Sequence, residues 1–508
     1  HHFMKKYIAF LTIALFPVII GFQPENEPSE PEHPVTINKK AEGYHGIWYM
    51  NTKLDNKYKY KYSGGLGTYC AKHRPFAIYS EEVNKTFFCY GGTMGQPHLK
   101  YDFTGPIQDS VQGILYHMVG CYDHETGKVS KPTVLLDKMT WDAHDNPVIS
   151  MDEEGYIWIF STSHGRSRPS YIHRSQDPYD ISSFERIHPF YMKDGEKVPF
   201  NNFSYMQPWY IKDQGFMACV TRYNFPTDRT PCFMKSRDGK EWTYWKKFSL
   251  IGRGSYQISY ANENKIATLF NIHPEFPGQE IHPLNYRSNL YYLESKDFGE
   301  TWQSVDGQQV ELPLKQRDNP ALVHDYLTNR KVIYLKDIKF DQQGNPVLLY
   351  IKSDGYKSGP ANDPRVWTLA YRKNNKWHMD SITTSDNNYD MGSIFIEADE
   401  WKIIAPVETG PQPYNTGGEI AMWISKDKGQ TWKKQKQLTS NSECNHTYVR
   451  KPVNAHDDFY ALWADGHGRK PSESRLYFCD RKGNVYKLPE SMENEFEKPI
   501  KVHAQISD

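Results

Sequence analysis

The sequence has no excess of either charge. Its 508 residues include 61 Lys and Arg and 61 Asp and Glu, so the formal net charge is zero. A chain that binds nucleic acid or an anionic membrane through its overall charge carries a basic excess. We therefore expect no nucleic-acid partner, while a local basic pocket for an acidic ligand stays compatible with the neutral total.

A disulfide framework is also missing. The seven cysteines are an odd number and lie far apart along the chain, unlike the close, even sets of disulfide-rich domains. Cys70 with His73, and Cys444 with His446, have spacings that suit metal ligands, but two residues do not make a site. We expect no required cofactor, and a structural metal ion is compatible with the sequence.

Long apolar runs are confined to the first residues. Residues 1–3 resemble a tag remnant, and Met4, Lys5 and Lys6 precede the apolar stretch "YIAFLTIALFPVIIGF". A short basic stretch before an apolar core of this length is typical of a secretory signal rather than a membrane span. We predict tag remnant and signal over residues 1–23, a disordered proline-rich linker over 24–39, and an exported, periplasmic or secreted monomer without a membrane span.

Helical periodicity is nearly absent, and short extended runs take its place. Alternating or aromatic stretches such as "TFFCYGG", "KIATLFNI", "SNLYYLES" and "PVLLYIKS" are separated by turns rich in Asp, Gly and Asn. Such runs and turns are typical of strands joined by tight connections. The sequence therefore predicts an all-β protein.

The turns themselves repeat. A pattern Ser-x-Asp-x-Gly-x-Thr-Trp, an Asp-box, occurs at 295–302 and 425–432 and in shortened form at 236–242, with degenerate copies at 175–178 and 372–377. Asp and Gly favour a tight turn, and Trp can pack between sheets. A repeat of about 60 residues with four strands a unit predicts a β-propeller, with room for about seven blades over residues 40–508.

One predicted hairpin has a histidine at each end. In "WDAHDNPVISMDEEGYIWIFSTSHG" (141–165), His144 precedes the first strand and His164 follows the second. Because the strands of an antiparallel pair start and end at the same edge, about 4.8 Å apart, both imidazoles can reach one small ligand.

The chain resembles a known group of enzymes, the seven-bladed β-propeller polysaccharide lyases that include ulvan lyases and L-rhamnose-α-1,4-D-glucuronate lyases. The resemblance rests on the hairpin segment just quoted and on three further segments: "GYHGIWYMN" (43–51), "YSGGLGTYCAKHRPFAIY" (62–79) and "SYMQPWY" (204–210). It extends over essentially the whole chain after the linker, and it implies an acidic polysaccharide of the arabinogalactan or ulvan type as substrate.

The resemblance also implies site residues. It places His144 and His164 in a site for β-elimination, and it adds Tyr205 as proton donor or base and Arg222 as the partner of the substrate carboxylate. Elimination needs a group that neutralises the uronate, a base and an acid, and these residue types can supply them. The sequence does not rank the two histidines.

Two other functions stay open. Relatives of these lyases include α-L-rhamnosidases that use a histidine on the opposite face of the propeller, and His45 is the candidate for that role; such an enzyme would hydrolyse the same linkage. A catalytically silent, sugar-binding propeller is the third hypothesis. The loop 270–289 contains His273, His282 and Arg287, for which ligand contact and loop scaffolding are equally open.

Overall fold

The protein is almost entirely β-structure. The computed structural model describes residues 27–31, 34–95, 99, 112–165, 168–223, 225 and 227–503. These residues form 36 strands and a 3-10 helix, Pro360–Asn362, and within them no helix has the length and apolar character to cross a membrane. The signal predicted over residues 1–23 lies outside the described residues.

Six antiparallel sheets repeat one pattern, in which four successive strands lie side by side in chain order. The first three contain β9 (Pro147–Met151), β10 (Ile157–Ser161), β11 (Tyr171–Ser175) and β12 (Phe184–Ile187); β15 (Ser204–Ile211), β16 (Gly215–Tyr223), β17 (Arg229–Ser236) and β18 (Lys246–Lys247); and β19 (Gln257–Ala261), β20 (Ile266–Ile272), β21 (Ser288–Ser295) and β22 (Leu322–His324).

The other three continue the same order, and the last has a fifth strand. They contain β23 (Val332–Phe340), β24 (Pro346–Ser353), β25 (Arg365–Lys373) and β26 (Lys376–Ser385); β27 (Ser393–Ile396), β28 (Trp401–Glu408), β29 (Glu419–Ser425) and β30 (Lys433–Gln437); and β31 (Asn445–Arg450), β32 (Ala461–Gly466), β33 (Leu476–Cys479), β34 (Val485–Lys487) and β36 (Ile500–Val502).

The remaining large sheet is a composite of seven strands, ordered β1-β8-β6-β5-β4 with β7 and β35 attached at its side. They are β1 (Thr36–Lys40), β4 (Ala77–Ser80), β5 (Lys85–Gly92), β6 (Tyr116–Asp123), β7 (Lys128–Ser130), β8 (Thr133–Asp137) and β35 (Phe496–Glu497). Two-stranded pairs are formed by β2 (Trp48–Lys53) with β3 (Tyr60–Gly65) and by β13 (Phe190–Lys193) with β14 (Glu196–Pro199).

The sheets are arranged as a propeller. The first strands of successive sheets contact one another, β9 with β15, β15 with β19, β19 with β23 and β23 with β27. The predicted all-β propeller is confirmed, but the predicted number of seven blades is wrong: the described residues form six regular blades and the composite sheet. The departure arises where the two ends of the chain meet, because β1 extends the composite sheet beyond β8 and the late strand β35 pairs with β7.

The N-terminal linker is shorter than predicted. Residues 36–39, assigned above to a disordered segment, belong to β1, which pairs with β8. Before it, the Glu27 carboxylate accepts the backbone N–H of Asn201 at 2.7 Å. Part of the predicted linker therefore packs on the propeller.

The Asp-box turns lie between the third and fourth strands of their sheets. After β21, the Asp297 carboxylate accepts the backbone N–H of Thr301 at 2.9 Å and its hydroxyl at 2.6 Å. The Gly299 N–H donates to the Ser295 hydroxyl at 2.7 Å, and Gly299 has a φ of 78°, which favours glycine. Trp302 then enters the core between Phe233 and Phe248, with ring centroids 5.1 and 4.6 Å away.

We predict that the buried Asp-box tryptophan contributes more stability than its half-buried counterpart. Trp302→Ala should cost about 3–5 kcal/mol because it leaves a cavity in the core. Trp432→Ala removes the same side chain from an equivalent turn where it is only half-buried, so its cost should be smaller. Denaturant midpoints of the two variants provide the measurement, and equal midpoints would contradict the packing argument.

Candidate active site

The histidines predicted to flank a hairpin do lie together. Strands β9 and β10 pair antiparallel with Pro147 opposite Ser161, so the segments beyond these two residues leave the sheet at one edge. The imidazole rings of His144 and His164 are stacked there, with centroids 4.0 Å apart and planes inclined by 17°.

A single carboxylate holds both rings. The two oxygens of Asp142 are shared between them: Oδ1 is bonded to Nδ1 of His144, and Oδ2 lies 2.6 Å from Nδ1 of His164. Burial raises the pKa of Asp142, yet the two histidines hold it well below its usual range. Asp142 is therefore an anion that faces two imidazoles.

The pKa values of the two histidines shift in opposite directions. Burial lowers the pKa of His144 to about 3, an effect that the Asp142 carboxylate only partly opposes. Burial also acts on His164, but there the carboxylate outweighs it and the pKa lies above its usual value. At neutral pH His144 is thus a neutral base, whereas the Asp142 carboxylate stabilises the protonated form of His164, the more exposed ring with 29% of its side chain accessible.

Tyrosine hydroxyls complete the hydrogen bonds of both rings. Nε2 of His144 lies 2.7 Å from the hydroxyl of Tyr62 and 2.8 Å from that of Tyr69. Nε2 of His164 lies 3.1 Å from the hydroxyl of Tyr223, which lies 3.0 Å from that of Tyr205. We call these side chains the His–Tyr network; its members are Tyr62, Tyr69, Asp142, His144, His164, Tyr205 and Tyr223.

Tyr205 enters the network through an irregular backbone. It lies in β15 with a φ of 53°, beside a register shift between Ser204 and Gln207 where β15 pairs with β16. A bulge of this kind turns a side chain away from the normal alternation of a strand. The Tyr205 ring thereby lies 6.1 Å from His144 and 5.2 Å from Tyr256, measured between centroids.

A basic cluster, formed by Lys72, Arg229 and Arg287, surrounds Tyr256. The Lys72 ammonium lies 4.7 Å from the Tyr256 ring centroid, and the guanidinium carbons of Arg287 and Arg229 lie 4.4 and 5.3 Å from it. Burial raises the pKa of the Tyr256 phenol, but these three positive charges outweigh it and lower the pKa to about 6. The phenol is therefore largely ionised at neutral pH.

The arginines of the cluster keep free donors. Nε and Nη1 of Arg287 and Nε of Arg229 are buried and make no hydrogen bond within the part of the chain that the structure describes. Buried guanidinium N–H groups are normally paired, and a carboxylate is the acceptor that matches their planar geometry. The cluster is thus arranged to bind an anion.

The meander order brings these groups together from several sheets. His144 precedes the first strand of its sheet, Tyr223 ends the second strand of the next one, and Arg287 precedes the third strand of another. In an antiparallel meander the start of the first strand, the end of the second and the start of the third lie at one edge. The site therefore occupies one common edge of the sheets.

Arg222 does not join this site. Successive residues of a strand point to opposite faces, so Tyr223 reaches His164 while Arg222 points away. Its guanidinium lies 3.2 Å from the Glu27 carboxylate and 4.2 Å from the ring centroid of Trp245. Arg222, predicted as the partner of the substrate carboxylate, thus lies outside the His–Tyr network, whereas Arg229 and Arg287 lie in the basic cluster.

The remaining predicted candidates are His45 and the residues of the loop 270–289, and they lie in different surroundings. His45 is half-buried in the segment before β2, where its carbonyl accepts the N–H of Thr93 at 3.1 Å. Nε2 of His273 lies 2.8 Å from the carbonyl of His282, which is a loop-scaffolding contact, whereas Arg287 from the same loop lies in the basic cluster.

Possible metal ligands were predicted at two Cys/His pairs, and one further group of ligands lies in the His–Tyr network. Neither predicted pair, Cys70 with His73 or Cys444 with His446, gains a third ligand in the described ranges. Asp142, His144 and His164 offer donor atoms within 4.8 Å of one another. Both imidazole Nδ1 atoms already bond the Asp142 carboxylate, so a metal there would have to replace both hydrogen bonds.

Some members of the site had a local signal that the sequence interpretation overlooked. Asp142 lies two residues before His144, and Tyr223 follows Arg222 on the opposite face of the same strand. Tyr62 and Tyr69 belong to a segment that carried the family resemblance. Tyr256 and Arg229 had no such signal, because their proximity depends on how different sheets pack.

The fold and its comparisons with known proteins agree. The family model described as "BNR repeat-containing family member" matches residues 115–385, more than half of the chain. The chain belongs to this BNR repeat-containing family. No curated protein matches its sequence.

Solved structures of ulvan lyases share the architecture. A polysaccharide lyase of the PL25 ulvan lyase family is 15% identical, with 88% of this chain and 96% of that chain covered and a TM-score of 0.62. Its complex with -[GlcA(1-4)Rha3S]- gives the same identity and coverage and a TM-score of 0.63. The polysaccharide lyase Uly1 is also 15% identical, with 88% and 99% covered and a TM-score of 0.57. The resemblance to propeller lyases is thereby confirmed for the fold.

We predict that Asp142→Asn lowers the pKa of His164. The folded-state pKa of His164 is raised, so its protonated form contributes stability that is full below about pH 6.5 and lost as pH rises through the folded value. Removing the carboxylate removes this effect, whereas His144 stays neutral. NMR titration of the imidazole resonances provides the measurement.

The matched control is Asp213→Asn, the same change at an exposed turn residue. Asp213 has a φ of 61°, a backbone conformation that Asn tolerates. A His164 pKa that is the same in both variants would contradict the assignment of Asp142 as the group that holds the proton on His164.

Proposed function

We propose that this protein is a polysaccharide lyase that cleaves a uronate-containing polysaccharide by β-elimination, at L-rhamnose-α-1,4-D-glucuronate linkages. The observation that carries this proposal is the position of the basic cluster, whose buried guanidinium groups retain free donors, beside the His–Tyr network. Elimination from a uronate requires a group that binds the carboxylate, and beside it a base and an acid whose pKa values differ.

Carboxylate binding is the first task in this reaction. Arg287 and Arg229 can bind the uronate carboxylate by donating their unpaired N–H groups to it, which neutralises its charge and makes the hydrogen on C5 more acidic. Arg229 is half-buried and Arg287 is buried, so the carboxylate would enter from the side of Arg229.

Proton abstraction from C5 is assigned to Tyr256. Its ionised phenol is a base at neutral pH because the basic cluster lowers its pKa to about 6. A bound carboxylate would offset the positive charge of that cluster and make the phenolate more basic at the moment when the substrate is in place. The neutral His144 is the second base within the site, held by Asp142.

Protonation of the leaving oxygen is assigned to the chain from His164 through Tyr223 to Tyr205. The hydroxyls of the two tyrosines are 3.0 Å apart, and that of Tyr223 is 3.1 Å from Nε2 of His164. The C5 proton passes to the base, its electron pair forms the C4=C5 double bond, and the C4–O bond breaks. The departing rhamnose oxygen then takes a proton from this chain.

The choice of substrate rests on similarity as well as on charge. The ulvan lyase complex with -[GlcA(1-4)Rha3S]- shows a uronate and a rhamnose in a propeller of the same fold. We extend this substrate class to the present chain, with arabinogalactan side chains or ulvan as the polymer. We further propose export, as the apolar N-terminal segment predicts.

The first experiment is a digest of a rhamnose-capped glucuronate oligosaccharide with two readouts. Elimination releases rhamnose and creates an unsaturated uronate that absorbs in the ultraviolet, and we expect both signals. Rhamnose without new absorbance would replace the proposal with an α-L-rhamnosidase, tested by loss of activity in His45→Ala. If neither signal appears on this substrate or on ulvan, the remaining hypothesis is a propeller that binds sugar without turnover.

Substitution of Tyr256 tests its role as the base. Tyr256→Phe should lower the rate about 10²–10⁴-fold because it removes the ionisable hydroxyl. Its matched control is Tyr260→Phe, since the Tyr260 hydroxyl bonds Lys339 at 2.7 Å and not the His–Tyr network. In the wild type, kcat/KM should fall as pH drops through about 6, where Tyr256 becomes protonated. Equal rates for the two variants would reject Tyr256 as the base.

Variants of the basic cluster test carboxylate binding separately. Arg287→Met should reduce the rate of elimination by about 10²–10³-fold, since charge stabilisation in a buried site is lost. Arg317→Met is the control, because Arg317 lies 3.7 Å from Asp325 outside the cluster. Full activity of Arg287→Met would remove the central observation on which the proposal rests.

A further inference from the structure

A second group of metal-ligand side chains lies away from the His–Tyr network, between the composite sheet and the last sheet. His124 follows β6 of the composite sheet, and His456 and Asp458 belong to the loop between β31 and β32. Their donor atoms all lie within 4.8 Å of one another. We propose that these three residues form a binding site for a divalent transition metal, with zinc as the best match.

The distances between donor atoms suit one ion. Nδ1 of His124 lies 3.9 Å and Nδ1 of His456 lies 3.7 Å from Oδ2 of Asp458. Two zinc bonds of about 2.1 Å place their donors at most about 4.2 Å apart. These separations are too long for direct hydrogen bonds and the right length for an ion between the atoms. Asp458 is 58% exposed, so its carboxylate has room to adjust to an ion that the two imidazoles hold.

His124 supplies independent support, because its free nitrogen is buried. Its side chain is only 1% exposed, and Nδ1 makes no hydrogen bond in the described part of the chain. Nε2 lies 2.8 Å from the Thr86 hydroxyl. When Nε2–H donates to Thr86, the lone pair of Nδ1 points toward Asp458, which is the arrangement that orients a metal-binding histidine.

The surroundings hold both rings in place. The His124 and His456 centroids are 3.9 Å apart, and the Tyr79 ring packs against both at 5.2 and 4.9 Å. The backbone N–H of Asp458 donates to Nδ1 of His456 at 3.1 Å, and this contact must open when a metal binds.

The ligand set indicates the class of metal. Two imidazoles and one carboxylate suit zinc and its neighbours, whereas calcium and magnesium prefer oxygen ligands alone. The ion would join the end of β6 to the β31–β32 loop, beside the contact in which the Tyr79 N–H donates to the Val453 carbonyl at 2.9 Å. Binding to the folded state would therefore stabilise the seam between the first and last large sheets.

This site is separate from the proposed active site. His117, near the other end of β6, has Nε2 bonded to the carbonyl of Asp145, next to His144. The seven residue steps from His117 to His124 span about 23 Å along an extended strand. Loss of the metal site should thus leave elimination unchanged, so failure of either proposal can be distinguished from failure of the other.

The test measures binding of Zn²⁺ to the full chain after treatment with a chelator. We expect the wild type to bind one more equivalent than His456→Gln and Asp458→Asn, and its unfolding midpoint to rise by at least about 2 °C with zinc. Both substitutions are at the accessible side of the site, which protects the fold better than a change of buried His124. All variants retain His1 and His2, so any zinc bound by these residues is the same in every protein and does not affect the difference in stoichiometry.

Asp457→Asn is the matched control, because it removes the same charge one residue away, where Asp457 lies 3.6 Å from Arg481. It should bind zinc like the wild type. Co²⁺ in place of Zn²⁺ should give a visible absorption band in the wild type and the control and none in the two site variants. Equal zinc stoichiometry in all four proteins, or binding of Ca²⁺ or Mg²⁺ but not Zn²⁺, would overturn the proposal.

Discussion

The proposed chemistry depends on one carboxylate that is shared by two imidazoles. Asp142 gives one oxygen to each of His144 and His164, and it thereby fixes both rings side by side with their Nε2 atoms toward tyrosine hydroxyls. Because burial dominates at His144 and the carboxylate dominates at His164, the pKa values of two residues of the same type shift in opposite directions. This difference allows a base and an acid to exist in the same site at the same pH.

The basic cluster extends the same principle to a tyrosine. Positive side chains packed around Tyr256 favour its ionised form strongly enough to outweigh burial. Buried charges are costly unless they are compensated, and here the phenolate and the guanidinium groups compensate each other only in part. The remaining positive charge and the free donors of Arg287 are what an incoming carboxylate would complete.

The propeller fold brings the His–Tyr network and the basic cluster together, and each sheet contributes only a few residues to them. Strand ends from successive sheets meet at one edge, and the rigid meander behind them determines where each side chain points. A bulge at Tyr205 and the alternation between Arg222 and Tyr223 show how one backbone step decides whether a side chain enters the site. The junction of the composite sheet with the last sheet joins the two ends of the chain, which is where a structural metal would have most effect.

Local patterns in the sequence determined the all-β class, the Asp-box turns between third and fourth strands, and the hairpin that pairs His144 with His164. These features depend on residues close in sequence, where alternation and turn chemistry act directly. Tertiary structure alone decided that Arg229 and Arg287, rather than Arg222, surround Tyr256, and that one large sheet is a composite of both chain ends. It also ranked the two histidines, because burial and charge at each ring arise from packing between residues that are distant in the sequence.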